Sequence, residues 1–217
     1  MVRLSLNHSN GAPFRILCLG AHCDDIEIGC GGTLLKLQEE KKNVEVEWVV
    51  FSSDAQRAKE TRRAAGRFLE AARSKKVEAK AFRDTFFPFV GSKIKEHFRR
   101  LQERVSPDLI FTHFRGDLHQ DHRVISELTW NAFRDHLILE YEIPKYDGDL
   151  GSPNVFVSLD GRICRQKIDY LMESYPSQRT KQWFTEETFL ATLRLRGVES
   201  NSPTKYAEGF YCRKLAL

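Results

Sequence analysis

Phe14-Arg15-Ile16-Leu17-Cys18-Leu19-Gly20, followed at once by Ala21-His22-Cys23-Asp24-Asp25-Ile26-Glu27, changes character in the middle. Up to Gly20 it is a nearly continuous apolar run, which suits a parallel strand buried on both faces. Past Gly20 it turns polar, with a histidine and two adjacent carboxylates. Carboxylates placed directly after a buried strand are costly unless they meet a partner. The junction therefore marks both a strand end and a candidate site.

Working outward, Gly29-Cys30-Gly31-Gly32-Thr33 reads as a Gly-rich turn opening the helical pattern Leu34-Leu35-Lys36-Leu37. Val44 to Phe51 is β-branched and aromatic, a second strand; Ala55 to Arg73 reads as a long exposed helix, and Val77 to Phe82 as a third strand. Ile94, Phe98, Leu101 and Val105 recur every three or four residues and predict an amphipathic helix over Lys93 to Val105. Pro107-Asp108 breaks it before a fourth strand, Leu109 to Thr112, and a further helix is expected from Asp121 to Leu137. This alternation predicts an α/β fold, a mostly parallel sheet with helices on both faces and right-handed crossovers. Such sheets carry their sites at the C-terminal ends of the strands.

Beyond Leu137 the pattern loosens. Tyr141 to Asp149 is turn-rich, Asn154 to Leu159 and Tyr206 to Leu215 read as strands, and Gln166 to Ser174 and Thr185 to Arg196 as helices. Phe189 and Phe210 are expected in the core. With no repeat and no low-complexity linker, one domain over residues 1–217 is expected, with residues 1–13 as a loose arm.

The chemistry concentrates at two strand ends. His22 and Asp25 are three residues apart, so a tight turn can aim both at one point, and imidazole and carboxylate are good zinc ligands. Asp24, between them, stays off the metal but beside it, the place for a general base. The second segment, His113-Phe114-Arg115-Gly116-Asp117-Leu118-His119-Gln120-Asp121-His122, holds three of the seven histidines. His122 would complete a His, Asp, His set with an open position for water. His119 would face a substrate carbonyl, and Asp121 would orient one of the imidazoles. Plainer readings stand beside these. Asp24-Asp25 also fits a helix N-cap pair. His113 and His136 fit structural hydrogen bonding, and His97 fits a solvated helix face. The Gly-rich turn could cradle phosphate, but it lacks GxGxxG spacing and a Walker lysine.

These two segments resemble the PIG-L/LmbE family of zinc-dependent N-acetylglucosaminyl deacetylases. Its AHPDDE motif stands here as Ala21-His22-Cys23-Asp24-Asp25-Ile26-Glu27, and its HxDH motif as His119-Gln120-Asp121-His122. The resemblance implies a Rossmann-like fold and zinc, or another divalent ion, on His22, Asp25 and His122. It implies Asp24 as general base, His119 as electrophile or general acid, Asp121 holding His119, and Asp84 and Arg57 facing substrate. It implies hydrolysis of an N-acyl, normally N-acetyl, group from an amino sugar or sugar conjugate, and it allows a homo-oligomer. Two departures stand out. Cys23 replaces the motif proline and puts a thiol beside the metal, and Glu27 is displaced by one residue, with Ile26 in its place.

Composition excludes little but points one way. Lys+Arg 34 against Asp+Glu 30 gives a net charge of only +4, too small and too spread to argue for nucleic acid or a membrane surface. The basic stretch from Arg57 to Lys76 is interrupted by Glu60 and Glu70. No run is long enough for a membrane span. Without a signal-like start, and with five cysteines in no paired framework, the expected compartment is the cytoplasm. The rival from another class is a non-catalytic nucleotide- or sugar-binding module on the same fold, which would need neither metal nor Asp24.

Overall fold

The computed structural model describes residue 6 and residues 12–216; most of the expected N-terminal arm, residues 1–5 and 7–11, lies outside the described residues. One seven-stranded sheet organises the chain, in the order β3-β2-β1-β4-β5-β7-β6. β1 (Phe14–His22), β2 (Val44–Ser52), β3 (Ser74–Ala79), β4 (Leu109–His113) and β5 (Leu137–Tyr141) run parallel. β7 (Tyr206–Cys212) joins antiparallel to β5, and β6 (Val155–Leu159) antiparallel to β7.

The continuous apolar character of β1 follows from cores on both sides of the sheet. Ile16 and Cys18 enter a cluster with Ile26, Cys30 and Leu34 of α1 (Asp25–Glu40), Phe68 of α2 (Ala55–Phe68), Ile168 of α5 (Gly161–Ser174) and Phe189 of α6 (Glu186–Glu199). Leu17, Leu19 and Ala21 enter the opposite cluster, with Ile94, Phe98 and Leu101 of α3 (Gly91–Arg104) and Ile125 and Trp130 of α4 (Gln120–Ala132). Phe189 and Phe210 are core residues, as the sequence led us to expect.

Strand order reverses at β1. From it the chain builds β2 and β3 to one side and β4 and β5 to the other. A crevice opens at such a switch point, outside the carboxyl ends of the two central strands. Both chemically loaded segments leave the sheet there.

Four expectations are corrected. The Gly-rich segment is no turn: Gly29, Gly31 and Gly32 lie inside α1, which starts at Asp25. A Cβ at Gly29 would stand 2.2 Å from Tyr141, at Gly31 2.6 Å from Phe68, and at Gly32 2.4 Å from Leu159. The glycines let α1 lie close against its neighbours, and the phosphate-cradle reading loses its turn. α2 stops at Phe68 and buries Ala58, Glu60, Thr61, Ala64 and Ala65, so it is not merely a solvated face. β3 begins earlier than expected and ends at Ala79, leaving Phe82 in the following loop. The helix expected to reach Leu137 ends at Ala132, and Leu137–Tyr141 is instead a strand. Its apolar Leu-Ile-Leu run continues a helical pattern by composition, but pairing to β4 and β7 on its two sides makes it a buried strand.

Candidate active site

β1 ends in a tight turn that the sequence makes possible. Asp24 sits at φ 93° and ψ −22°, the left-handed region, where a side-chain-bearing residue costs about 1–2 kcal/mol and Asp or Asn is tolerated best. Asp24 is the N-cap residue of α1, but its side chain makes no capping bond. The turn frees that carboxylate for other work. Its Oδ1 lies 3.2 Å from Arg57 Nη2, while Oδ2 is buried with no hydrogen-bond partner among the described residues. Burial pushes the Asp24 carboxyl well above the ordinary carboxylate range, against the pull of Arg57.

Donor groups of three residues converge beside it. His22 Nδ1 is 3.2 Å from His122 Nε2 and 3.6 Å from Asp25 Oδ2, and His122 Nε2 is 3.7 Å from Asp25 Oδ1. Asp25 also accepts the His22 backbone N–H at 2.6 Å, which locks the turn. Two imidazole nitrogens facing each other at hydrogen-bond distance invite a shared cation. Ligands about 2.0–2.1 Å from a tetrahedral zinc stand about 3.3–3.4 Å apart, close to the separations here.

The far nitrogen of each imidazole is held by carboxylates. His22 Nε2 lies 2.9 Å from Asp84 Oδ1 and 3.2 Å from Asp121 Oδ2. His122 Nδ1 lies 2.8 Å from Asp117 Oδ2. Each carboxylate takes the N–H on its side and leaves the facing nitrogen its lone pair, the arrangement that orients metal-binding histidines. Burial opposes a charge on His22, but Asp121 and Asp84 outweigh it and lift its pKa to about 10. A divalent ion at Nδ1 would replace that proton. Burial, with His113 adding to it, holds His122 well below its usual range, in the neutral form a ligand needs. For Asp25 burial works upward, but His122 and His113 outweigh it and keep the carboxylate ionised. The donor set thus fits a divalent cation in number and spacing.

His113 is the nearest competitor for a ligand position. It is fully buried, stacks on His122 with ring centroids 3.9 Å apart, and reaches within 3.1 Å of Asp25 Oδ2. Its Nε2, however, accepts the Ala21 N–H at 2.9 Å. That bond ties β4 to β1 and occupies the His113 nitrogen nearest Asp25.

His119 occupies the N-cap of α4, and its Nδ1 accepts the Asp121 N–H at 3.2 Å. Its proton is therefore on Nε2. Its ring stands 4.9 Å from that of His22 and 4.6 Å from that of His122. The carboxylate of Asp121 does not hold His119. It accepts the Thr85 N–H at 2.7 Å and the Phe87 N–H at 3.1 Å while facing His22, so it fixes that imidazole and the loop after β3 together.

Arg57 is turned onto Asp24: its guanidinium donates to Cys23 O, stands 3.2 Å from Asp24 Oδ1 and lies 5.9 Å from the Tyr175 ring. Asp84 is 65% exposed, open to a ligand while it holds His22. Cys23 points away from the donor atoms, its thiol 3.5 Å from Ser52 O, and burial pushes its pKa up to about 12. No cysteine belongs to a possible metal-binding group among the described residues. The displaced Glu27 is fully buried and accepts the Tyr175 hydroxyl. His97 packs its ring edge-on to Phe51 and Phe82 rather than standing free in solvent.

Sequence reasoning missed Asp117. Its signal was available, a carboxylate five residues before a candidate ligand in one loop. It also missed Tyr175, whose partner Glu27 is 148 residues away.

In fold the chain is similar to the conserved protein TT1542 from Thermus thermophilus, at TM-score 0.72 and 21% identity over 93% of this chain and 96% of that one. It is similar also to N,N'-diacetylchitobiose deacetylase from Pyrococcus horikoshii, at TM-score 0.68 and 22% identity over 92% and 83% of the two chains. A third similar structure is GalB, the 4-carboxy-2-hydroxymuconate hydratase from Pseudomonas putida, at TM-score 0.68 and 16% identity over 94% and 97%. Identities this low speak for the fold alone, and the fold serves both a deacetylase and a hydratase. The PIG-L family model, described as GlcNAc-PI de-N-acetylase, matches residues 17–133, which span both motifs and the whole candidate donor set; the chain belongs to the PIG-L family.

Proposed function

We propose that this protein is a metal-dependent N-deacetylase that removes an acetyl group from the amino group of a sugar or sugar conjugate. One observation carries the reading. Two imidazoles, each backed by a carboxylate, aim their free nitrogens at one point beside Asp25, next to a strained Asp24 with an unpartnered oxygen. Membership of the PIG-L family and the likeness to a chitobiose deacetylase support the substrate class.

His22, Asp25 and His122 would hold the ion, zinc by the chemistry of the donors. Bound there, it would supply Lewis acidity, acidifying a water and polarising the amide carbonyl. Asp24 takes the proton of the attacking water on Oδ2, while Arg57 fixes Oδ1 and keeps the carboxylate in place. His119, protonated on Nε2, donates to the carbonyl oxygen as negative charge develops on it. Asp24 then returns its proton to the departing amine. Phe89 and Tyr146, exposed on the segments after β3 and β5, would offer aromatic faces for a sugar ring.

The test is acetate release from N-acetylglucosamine, N,N'-diacetylchitobiose and an N-acetylglucosaminyl inositol conjugate. Release from at least one, abolished by a chelator and restored by zinc, is the expected result. No acetate from any of the three by zinc-loaded protein would remove the deacetylase reading.

A further inference from the structure

We propose that Lys145, on the loop after β5, is a positioning residue for metal binding that acts on His122 through Asp117. The inference rests on the metal-site reading above and adds to it a residue from outside both motifs.

Lys145 is nearly buried, and its ammonium lies between two buried carboxylates. It stands 3.0 Å from Asp117 Oδ2 and in direct contact with Asp149 Oδ2. The same Asp117 Oδ2 receives the Nδ1–H of His122 at 2.8 Å, and Asp117 Oδ1 receives the His119 N–H at 2.7 Å. Asp149 Oδ2 in turn accepts the Leu118 N–H at 2.7 Å. One cation therefore holds together the carboxylate behind a metal ligand and the carboxylate that pins the loop beneath it.

Without the ammonium, Asp117 and Asp149 would face each other as like charges in a poorly hydrated place. Removing one member of such a buried group leaves uncompensated charge, a larger penalty than the group's net stabilisation. The repulsion would turn Asp117 away from Asp149. Turning it would release the Nδ1–H of His122 and with it the aim of Nε2. Glu142 holds the start of the Lys145 loop: it accepts the Gly151 N–H at 2.8 Å, the Tyr211 hydroxyl at 2.6 Å and Arg196 Nη2 at 2.6 Å. Lys145 is thus presented from a braced loop rather than from a free strand of chain. Partners behind metal-bound histidines are commonly worth about 10–100-fold in metal affinity.

The experiment measures zinc affinity of the full chain by competition with a chromogenic chelator, with the visible spectrum of the cobalt-loaded protein as a second readout of ligand geometry. Lys145→Met is expected to weaken zinc binding about 10-fold or more and to alter the cobalt bands. Lys145→Arg should keep most of the affinity. Adding Asp149→Asn to Lys145→Met removes one of the opposed charges and should recover affinity; a merely structural role for the lysine would give no such recovery. Wild-type affinity in Lys145→Met, or a loss that the double variant does not relieve, would overturn the inference. Should Lys145→Met fail to fold, Asp149→Asn alone decides. It is expected to keep affinity within about 3-fold, because Lys145 still serves Asp117, and a greater loss counts against the inference. A wild-type chain that takes up no metal would instead sink the metal-site reading and this inference with it, an outcome separate from all of these.

Discussion

Asp24 and the facing His22 and His122, at the switch point, differ in kind from the buried carboxylates after β5. Glu142 has both oxygens engaged, Oε1 by the Gly151 N–H and the Tyr211 hydroxyl, Oε2 by Arg196. Glu208 likewise gives Oε1 to Gly32 and Lys167, and Oε2 to the Thr33 N–H and hydroxyl. At the switch point a position is left open. Asp24 Oδ2 has no partner among the described residues, and His22 Nδ1 faces His122 Nε2 across 3.2 Å. A buried charge with every position filled holds structure together; one with a position open is poised for a ligand or a proton. The contrast sets the open position at the C-terminal ends of β1 and β4 and the filled carboxylates Glu142 and Glu208 in the last third of the chain.

The sharpest way to break this contrast is at the ligands. His22→Ala should take the metal content from about one zinc per chain to none, read by elemental mass spectrometry on folded protein; unchanged content would move the site to the His113 alternative. Next in size, Asp24→Asn should keep the metal and the left-handed turn, which Asn adopts readily, but lose about 10²-fold or more in kcat. Near-normal turnover would take Asp24 out of the reaction.

Lys167→Met probes the bracing half. It leaves Glu208 buried without its cation and should lower unfolding free energy by about 3–5 kcal/mol in a denaturant titration, with metal content untouched. A matching loss of metal would erase the distinction between the regions. The smallest effect belongs to the partly exposed cluster around Glu78. Burial there acts upward, but Lys80, Arg104 and Lys76 outweigh it and hold the pKa at about 2. A depressed folded-state value stabilises above the unfolded value, near 4.5, and the contribution is lost as pH falls through about 2. The stability advantage of wild type over Glu78→Gln should therefore hold at neutral pH, shrink between those two values, and weaken in salt. An advantage that grows on acidification would contradict the assignment.

How much of this was legible beforehand depends on how far apart in the chain the causes lie. The apolar run of β1 and its abrupt polar end, Ala21 to Glu27, announced a buried strand and a site because both signals are local. His119 to Asp121 and His122 were legible for the same reason. The glycines of α1 misled, since glycine usually marks a turn, and only the bulk of Tyr141, Phe68 and Leu159 opposite them explains a helix there. The helix before β5 was carried on to Leu137 and the strand Leu137 to Tyr141 went unread, because a short apolar run has no period of its own; pairing with β4 and β7 made it a strand.

By itself the sequence determined the alternation of strand and helix, the side of the sheet on which chemistry would gather, and the residue types that would meet there. These follow from apolar periodicity and from the cost of placing charge after a buried strand, both of which act within a few residues. Tertiary structure alone decided which imidazole nitrogens face inward, that Asp121 holds His22 rather than His119, that Arg57 is turned onto Asp24, and that Lys145 backs Asp117 from another loop. A histidine's free nitrogen is set by whatever takes its other proton, and here those acceptors include Asp84 and Asp121, brought to His22 from distant parts of the chain by the packing of the sheet.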